Sequence, residues 1–214
     1  MIRTIIFDFD GVICESVDIK SDAFYELYLP FGESIAKKVK AYHQANGGMS
    51  RFDKFRYFQK EYFGEKISTE QMEQLSSQFS SLVMQKVIQA PFVEGAKEFL
   101  ETESSRYNCF IVSATPMDEM IAICEAKNIL SYFKQVFGSP KDKNTWVSHI
   151  LDSYKLNPDE TIFIGDALSD YRAAQANHVH FLLRKTQENR LLFDSTVDAV
   201  DNLNTLADYL GSIR

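Results

Sequence analysis

Cysteine is scarce in this sequence, and no two cysteines stand close together. Cys14, Cys109 and Cys124 form an odd, widely spaced set without a CxxC pair. That excludes a disulfide framework and predicts reduced thiols. No apolar run approaches the ~20 residues that a membrane-spanning helix needs, and no signal-peptide pattern opens the chain. A soluble, cytoplasmic protein with no membrane partner is expected. Positive charge is in deficit as well: 23 Lys and Arg against 30 Asp and Glu leave a net charge of −7. Affinity for a nucleic-acid backbone comes from clustered Lys and Arg, so no nucleic-acid partner is expected. A small anionic ligand is still compatible, because a few cations and one metal can reverse a local field. Low-complexity tracts and internal repeats are absent.

What is present suits a globular enzyme. The 214 residues, 45% hydrophobic and 25% charged, are enough to bury a core and to carry an elaboration on it. Short runs, predominantly apolar and rich in β-branched and aromatic residues, occur at 5–9, 109–112, 161–164 and 179–183. Such runs predict parallel strands covered on both faces. Helical periods lie between them at 95–105, 117–127, 145–154 and 168–175. The alternation predicts an α/β fold with a doubly wound parallel sheet, whose ligands sit beyond the carboxyl ends of the strands.

Residues 17–88 break this alternation. They show helical patterns at 19–29, 34–45, 52–63 and 69–88, a capping-box pair in Ser68 and Gln71, and glycine punctuation at Gly47-Gly48 and Gly64. The expected organisation is an α/β core built from 1–16 and 89–214, with a small all-α unit, 17–88, inserted after the first strand.

Acidic residues cluster at the strand ends. In Phe7-Asp8-Phe9-Asp10-Gly11, alternation turns Asp8 and Asp10 to one side of an extended segment. Paired carboxylates there need a cation or donors, and a hard divalent ion is a natural answer. Alone, Asp-x-Asp also reads as a turn after a strand. A second pair follows 161–164: Gly165-Asp166 and, four residues on, Asp170, which would share one face of a first helical turn. Its plain alternative is acidic capping of that helix. The run 110–112 ends in Ser113-Ala114-Thr115-Pro116, where a hydroxyl and backbone N–H groups at a helix start would bind an anion. Pro116 is expected as the first helical residue, and an ordinary Ser or Thr cap is the alternative. Lys141 and Lys143, before the helix that carries Trp146, offer cations to the same mouth or to solvent.

Taken jointly, these segments resemble the haloacid dehalogenase superfamily. Asp8-Phe9-Asp10-Gly11-Val12 is similar to its first motif, Ser113 to its second, the Lys141/Lys143 segment to its third, and Gly165-Asp166 through Asp170 to its fourth. The order is the family's, the motifs span most of the chain, and the helical insert stands where a family cap domain stands. The resemblance implies a haloacid dehalogenase-like Rossmannoid core with a helical cap. It also implies a magnesium-dependent phosphatase with Asp8 as nucleophile and Asp10 as general acid and base. Mg²⁺ would be held by Asp8, the Asp10 backbone carbonyl and Asp166, and Asp170 would bind a metal-bound water or orient the lysine. Ser113 and the Ala114 N–H would grip the phosphoryl oxygens. For the lysine, Lys143 is preferred, because Gly138-Ser139-Pro140-Lys141-Asp142-Lys143 resembles a GSPxxK subset. Lys141 fits better when counted back from Asp166 against members with KPxP, which this chain lacks.

Asp10 separates the branches, since dehalogenase members lack this second Asp, phosphonatase-like members carry Ala there and P-type ATPases Thr. Phosphatases and phosphomutases keep it. Val12, where Thr is commoner, decides nothing between those two, and Asn177, where Gly is usual, is a mild departure. Within the insert, Gly48 and Arg51 are the candidate substrate contacts, with Arg51 taking a carboxylate or second phosphate. The alternative for Arg51, and more so for Lys54 and Arg56, is a solvated helix face. The expected partner is a small-molecule phosphate ester, met by a monomer or homodimer. Competing readings are a phosphomutase of the β-phosphoglucomutase kind and a catalytically silent binding or regulatory module. A receiver-like signalling domain fits the insert and the Asp8/Asp10 pair poorly.

Overall fold

Strand β1 (Thr4–Phe7) is buried along its whole length, because Ile5 and Phe7 enter one apolar core while Ile6 enters another on the opposite face. The same division recurs in β2 (Asn108–Pro116), where Cys109 and Ile111 face one core and Phe110 and Val112 the other. Alternating side chains with apolar cover on both faces disfavour polar residues, hence the largely apolar runs. The computed structural model describes residues 1–187 and 189–213. The remaining strands are β3 (Gln135–Ser139), β4 (Thr161–Gly165), β5 (His180–Arg184) and β6 (Ala199–Val200). All pair in parallel, in the order β3-β2-β1-β4-β5-β6. The order reverses beside β1, which places a ligand crevice beyond its carboxyl end. Two strands are absent from the sequence expectations. β3 contributes only Val136 and Phe137 as apolar residues from the sheet's edge, and β6 is two residues long.

Between β1 and β2 the chain forms α1 (Val17–Tyr28), α2 (Glu33–Ala45), α3 (Arg51–Phe63), α4 (Thr69–Gln89) and α5 (Ala96–Thr102). Local signals set their ends. The Asp53 N–H donates to the Ser50 hydroxyl at the start of α3 (3.2 Å). At α4, Ser68 and Gln71 form the reciprocal capping box, at 2.9 and 3.1 Å. The first four helices meet on an aromatic interior of Phe24, Phe55, Phe58 and Phe79, in one continuous core with Ile5 and Phe7 of the sheet. The rest of the chain adds α6 (Met117–Ala126), α7 (Lys143–Tyr154), α8 (Leu168–Ala176) and α9 (Leu206–Ser212). No helix among the described residues is long and apolar enough to cross a membrane.

Candidate active site

Adjacent strands β1 and β4 deliver the acidic residues to one place. Asp8 directly follows β1, and its N–H continues the ladder to the Ile164 carbonyl (2.9 Å). Asp166 directly follows β4, and Asp170 lies in the first turn of α8. Oxygens of Asp8, Asp166 and Asp170 all fall within 4.8 Å of one another. Gly11 makes this approach possible: at φ +76° it takes the left-handed turn, and a Cβ there would stand 2.2 Å from Asp166 Oδ2. From α7, Lys143 Nζ reaches Asp8 Oδ2 (2.7 Å) and Asp170 Oδ1 (2.5 Å). The second oxygen of Asp170 accepts the N–H groups of Asp166 and Ala167, at 3.2 and 3.0 Å. Asp170 therefore both caps the loop before α8 and orients the lysine.

Three carboxylates against one lysine leave a local excess of negative charge. Burial, with the neighbouring Asp170 and Asp10 charges, outweighs Lys143 and pushes Asp8 up to about 7. Burial and the charges of Asp8 and Asp170 likewise push Asp166 well above the usual carboxylate range. Burial opposes a charged Lys143, but Asp170 and Asp8 prevail and raise its pKa. A hard, oxygen-seeking divalent cation would relieve the excess, and this all-oxygen donor set fits magnesium.

Asp10 faces differently. Its carboxylate accepts from the Ser16 hydroxyl (2.6 Å) and from Lys20, and the Thr115 hydroxyl lies 3.3 Å away. Lys20 also donates to Thr115 (2.6 Å). Burial would raise the pKa of Asp10, but Lys20 and the Ser16 hydrogen bond hold it below its usual value. The side chain of Asp10 is thus outside the three-carboxylate cluster, which leaves only its backbone carbonyl for the metal role.

The Ser113 segment departs from expectation. β2 runs on to Pro116, with an irregular register against β3 after Val112. Pro116 precedes α6 and is not its first residue, so Ser113 and Ala114 stand in extended chain and not at a helix start. Ser113 is buried and its hydroxyl accepts the Thr115 N–H (3.1 Å). Ala114 lines the cavity described next.

The α1–α4 helices roof the cluster and leave a cavity of about 60 Å³, lined by Asp8, Asp10 and Asp166 below and by Lys20, His43, Gly47, Gly48, Arg51 and Lys54 above. Arg51 is neither solvated nor free. It makes a bidentate pair with Glu119 of α6 (2.9 and 2.7 Å), donates to Ser80 (2.7 Å) and stacks over Phe79. The carboxylate expected from a substrate is supplied by the protein itself. Lys54 is 1% exposed, contrary to the solvated-face reading, because the first turn of α3 faces inward; Arg56 does lie on the outside, paired with Asp53. Lys141 is exposed, with its Nζ over the Trp146 ring at 4.5 Å, so of the two candidate lysines only Lys143 meets the acidic cluster. Sequence reading missed Lys20, His43 and Thr115. A lysine and a histidine on helix faces and a threonine near a strand end give no local signal, and only packing brings them here.

Gly47-Gly48 is a close contact more than a free loop. A Cβ on Gly48 would fall 1.7 Å from the Ser169 hydroxyl oxygen and 2.8 Å from the Ser169 Cβ. Gly48→Ala is expected to lift this loop off the residues after β4. Turnover should fall about 10- to 100-fold with little loss of thermal stability. Parallel kinetics and melting curves check this, and unchanged turnover would show that the close approach is dispensable.

The chain has relatives among known proteins. The family model described as haloacid dehalogenase-like hydrolase matches residues 5–183. No curated protein sequence matches. Among solved structures, a β-phosphoglucomutase from Clostridium difficile is 20% identical, with 99% of this chain and 96% of that one covered and a TM-score of 0.78. CbbY from Rhodobacter sphaeroides, as the D10N mutant in complex with xylulose-(1,5)bisphosphate, is 14% identical over 96% of each chain, with a TM-score of 0.74. A haloacid dehalogenase-like family hydrolase from Streptococcus pneumoniae is 21% identical over 97% of this chain and 98% of that one, with a TM-score of 0.70. At these identities the likeness is one of fold.

Proposed function

The chain belongs to the haloacid dehalogenase-like hydrolase family, and from that premise we propose that it is a magnesium-dependent phosphatase acting on a small-molecule phosphate monoester. The observation that carries this reading is the meeting of Asp8, Lys143, Asp166 and Asp170 at the ends of two adjacent strands, with Asp10 on the same cavity. Asp8 Oδ attacks phosphorus, forming an aspartyl phosphate as the bond to the leaving oxygen breaks. Asp10 gives that oxygen a proton. It then takes one from the water that attacks the aspartyl phosphate, releasing inorganic phosphate and restoring Asp8.

Lys143 holds Asp8 in position and balances charge on the transferring group. Lys20 keeps Asp10 ionised before substrate enters. An arriving phosphate dianion competes for that ammonium, and Asp10, relieved of it, takes up a proton from solvent, which it then gives to the leaving oxygen. Ser113 and Ala114 contact the phosphoryl oxygens. Asp8, Asp166 and the Asp10 carbonyl would hold Mg²⁺, which when bound neutralises charge on the phosphoryl oxygens. The α1–α4 helices act as a cap, and the enclosed cavity beneath them suits a small-molecule ester better than a macromolecule. A fold shared with a β-phosphoglucomutase and with CbbY in complex with xylulose-(1,5)bisphosphate is consistent with a phosphorylated sugar or small acid.

The test is phosphate release from a panel of sugar phosphates, phosphoglycolate, nucleotides and p-nitrophenyl phosphate. Release is expected with magnesium and should vanish on chelation with EDTA. Transfer of the phosphoryl group to a second hydroxyl without phosphate release would identify a mutase instead. No reaction with any ester would sink the enzymatic reading.

A further inference from the structure

Three cations line the roof of the cavity, and two of them are already matched by carboxylates of the protein. Arg51 is held by Glu119 and Lys20 by Asp10. Lys54 makes no ion pair among the described residues. Its Nζ meets His43 Nδ1 at 2.8 Å and the Gly47 carbonyl at a marginal 3.4 Å. The Phe24 ring centroid lies 5.5 Å from Nζ, and the nearest charges are those of Lys20, Asp10 and Lys143, none of them paired with it. An ammonium buried to this degree without an anion is costly, and proteins that retain one either neutralise it or supply the anion from outside. Burial, and after it the nearby Lys20 charge, does hold the Lys54 pKa well below that of a free lysine. His43 is buried beside it and held neutral by burial and by Lys54, so it offers a ring nitrogen as acceptor and no charge. Lys54 therefore reaches the cavity wall with donor capacity that the fold leaves unspent.

We propose that Lys54 is the specificity-determining residue of this site, and that it receives a second anionic group of the substrate, a carboxylate or a phosphate, opposite the phosphoryl group on Asp8. This rests on the phosphatase reading of the same cavity and narrows its substrate class. The preferred ester carries two anionic ends a few atoms apart, not one phosphate on a neutral alcohol. Arg51, the residue whose chemistry best suited that role, is spent on tying α3 to α6. Lys54 lies one helical turn further along α3 and lines the same cavity.

Binding of non-hydrolysable analogues tests the proposal without requiring turnover. Phosphonoacetate carries a second anion and ethylphosphonate does not. Calorimetric titration of the magnesium-loaded protein should show a preference for phosphonoacetate. Lys54→Met should reduce the ratio of the two affinities about 10- to 100-fold, as expected for a lost hydrogen bond to a charged group. Lys54→Gln serves as a second variant, and circular dichroism checks that both fold. A wild type without preference, or a ratio unchanged in the folded variants, overturns the proposal. Phosphoglycolate and a sugar bisphosphate compared in a parallel phosphate-release series tell carboxylate from phosphate as the second group. Absence of release from every ester of the panel by the wild type is a separate failure, that of the phosphatase reading.

Discussion

Asp8→Asn is expected to lower magnesium-dependent phosphate release by at least about 10⁴-fold, since an amide cannot form the phosphoryl-enzyme bond and loss of a covalent nucleophile is among the largest single-residue effects. The substitution keeps the shape of the side chain. Lys143 also retains Asp170 as a partner at 2.5 Å, so the fold should hold. Without magnesium the variant should be more stable than the wild type, and the sign follows from linkage. Burial and like charges raise Asp8 from the usual 3.8 to about 7 in the folded protein. Its ionisation therefore costs nothing below about pH 4. The cost grows between about pH 4 and 7 and is fully present above that. Melting curves of metal-free wild type and Asp8→Asn should part across this interval, with the variant higher. A variant that still releases phosphate at the wild-type rate would remove Asp8 from the nucleophile's role.

Lys143→Met should be the most damaging change to stability, and it should lower turnover as well. It removes the one ammonium that bridges Asp8 and Asp170 and leaves buried carboxylates facing each other. Breaking a buried ion pair from one side costs roughly 3–5 kcal/mol, readable as a lower urea midpoint. Loss of a positioned charge on a transferring phosphoryl group adds a fall in turnover of about 10³-fold or more. Magnesium should restore part of the stability, because it addresses the same charge excess, and little of the turnover. Lys141→Ala, by contrast, alters an exposed residue stacked on Trp146 and should change turnover less than about twofold. Equal losses from the two lysines would contradict the assignment of Lys143.

The two lysines show where sequence reasoning reaches its end. They are two residues apart in one segment, and both motif comparisons had a case. The start of α7 separates them: Asp142 accepts the Thr145 N–H (2.7 Å), so the helix begins at Lys143 and turns that side chain inward while Lys141 remains in the preceding loop. The α3 residues tell the same story on a larger scale. Arg51, Lys54 and Arg56 are spaced alike in polarity, and which of them is buried depends on the face that α3 presents to α4 and α6. No window of local sequence contains that information. β3 was missed for a related reason, since an edge strand with two apolar residues lacks the pattern that marks its central neighbours.

The sequence by itself determined the order of the four central strands, of the helices that alternate with them, and the helical insert after β1. It also placed acidic residues at the strand ends, where period-two alternation and the loop glycines act within a few residues. Asp8, Asp166 and Asp170 were legible for that reason: each is tied to the end of an element whose own sequence defines it. The tertiary structure alone decided which cation meets which carboxylate. Lys20 took Asp10, Lys143 took Asp8 and Asp170, Arg51 took Glu119, and Lys54 was left with His43. Ion pairing acts over a few ångströms between segments that can lie far apart in the chain, 68 residues in the case of Arg51 and Glu119. Spacing along one element cannot encode such distances, and packing of one element on another does.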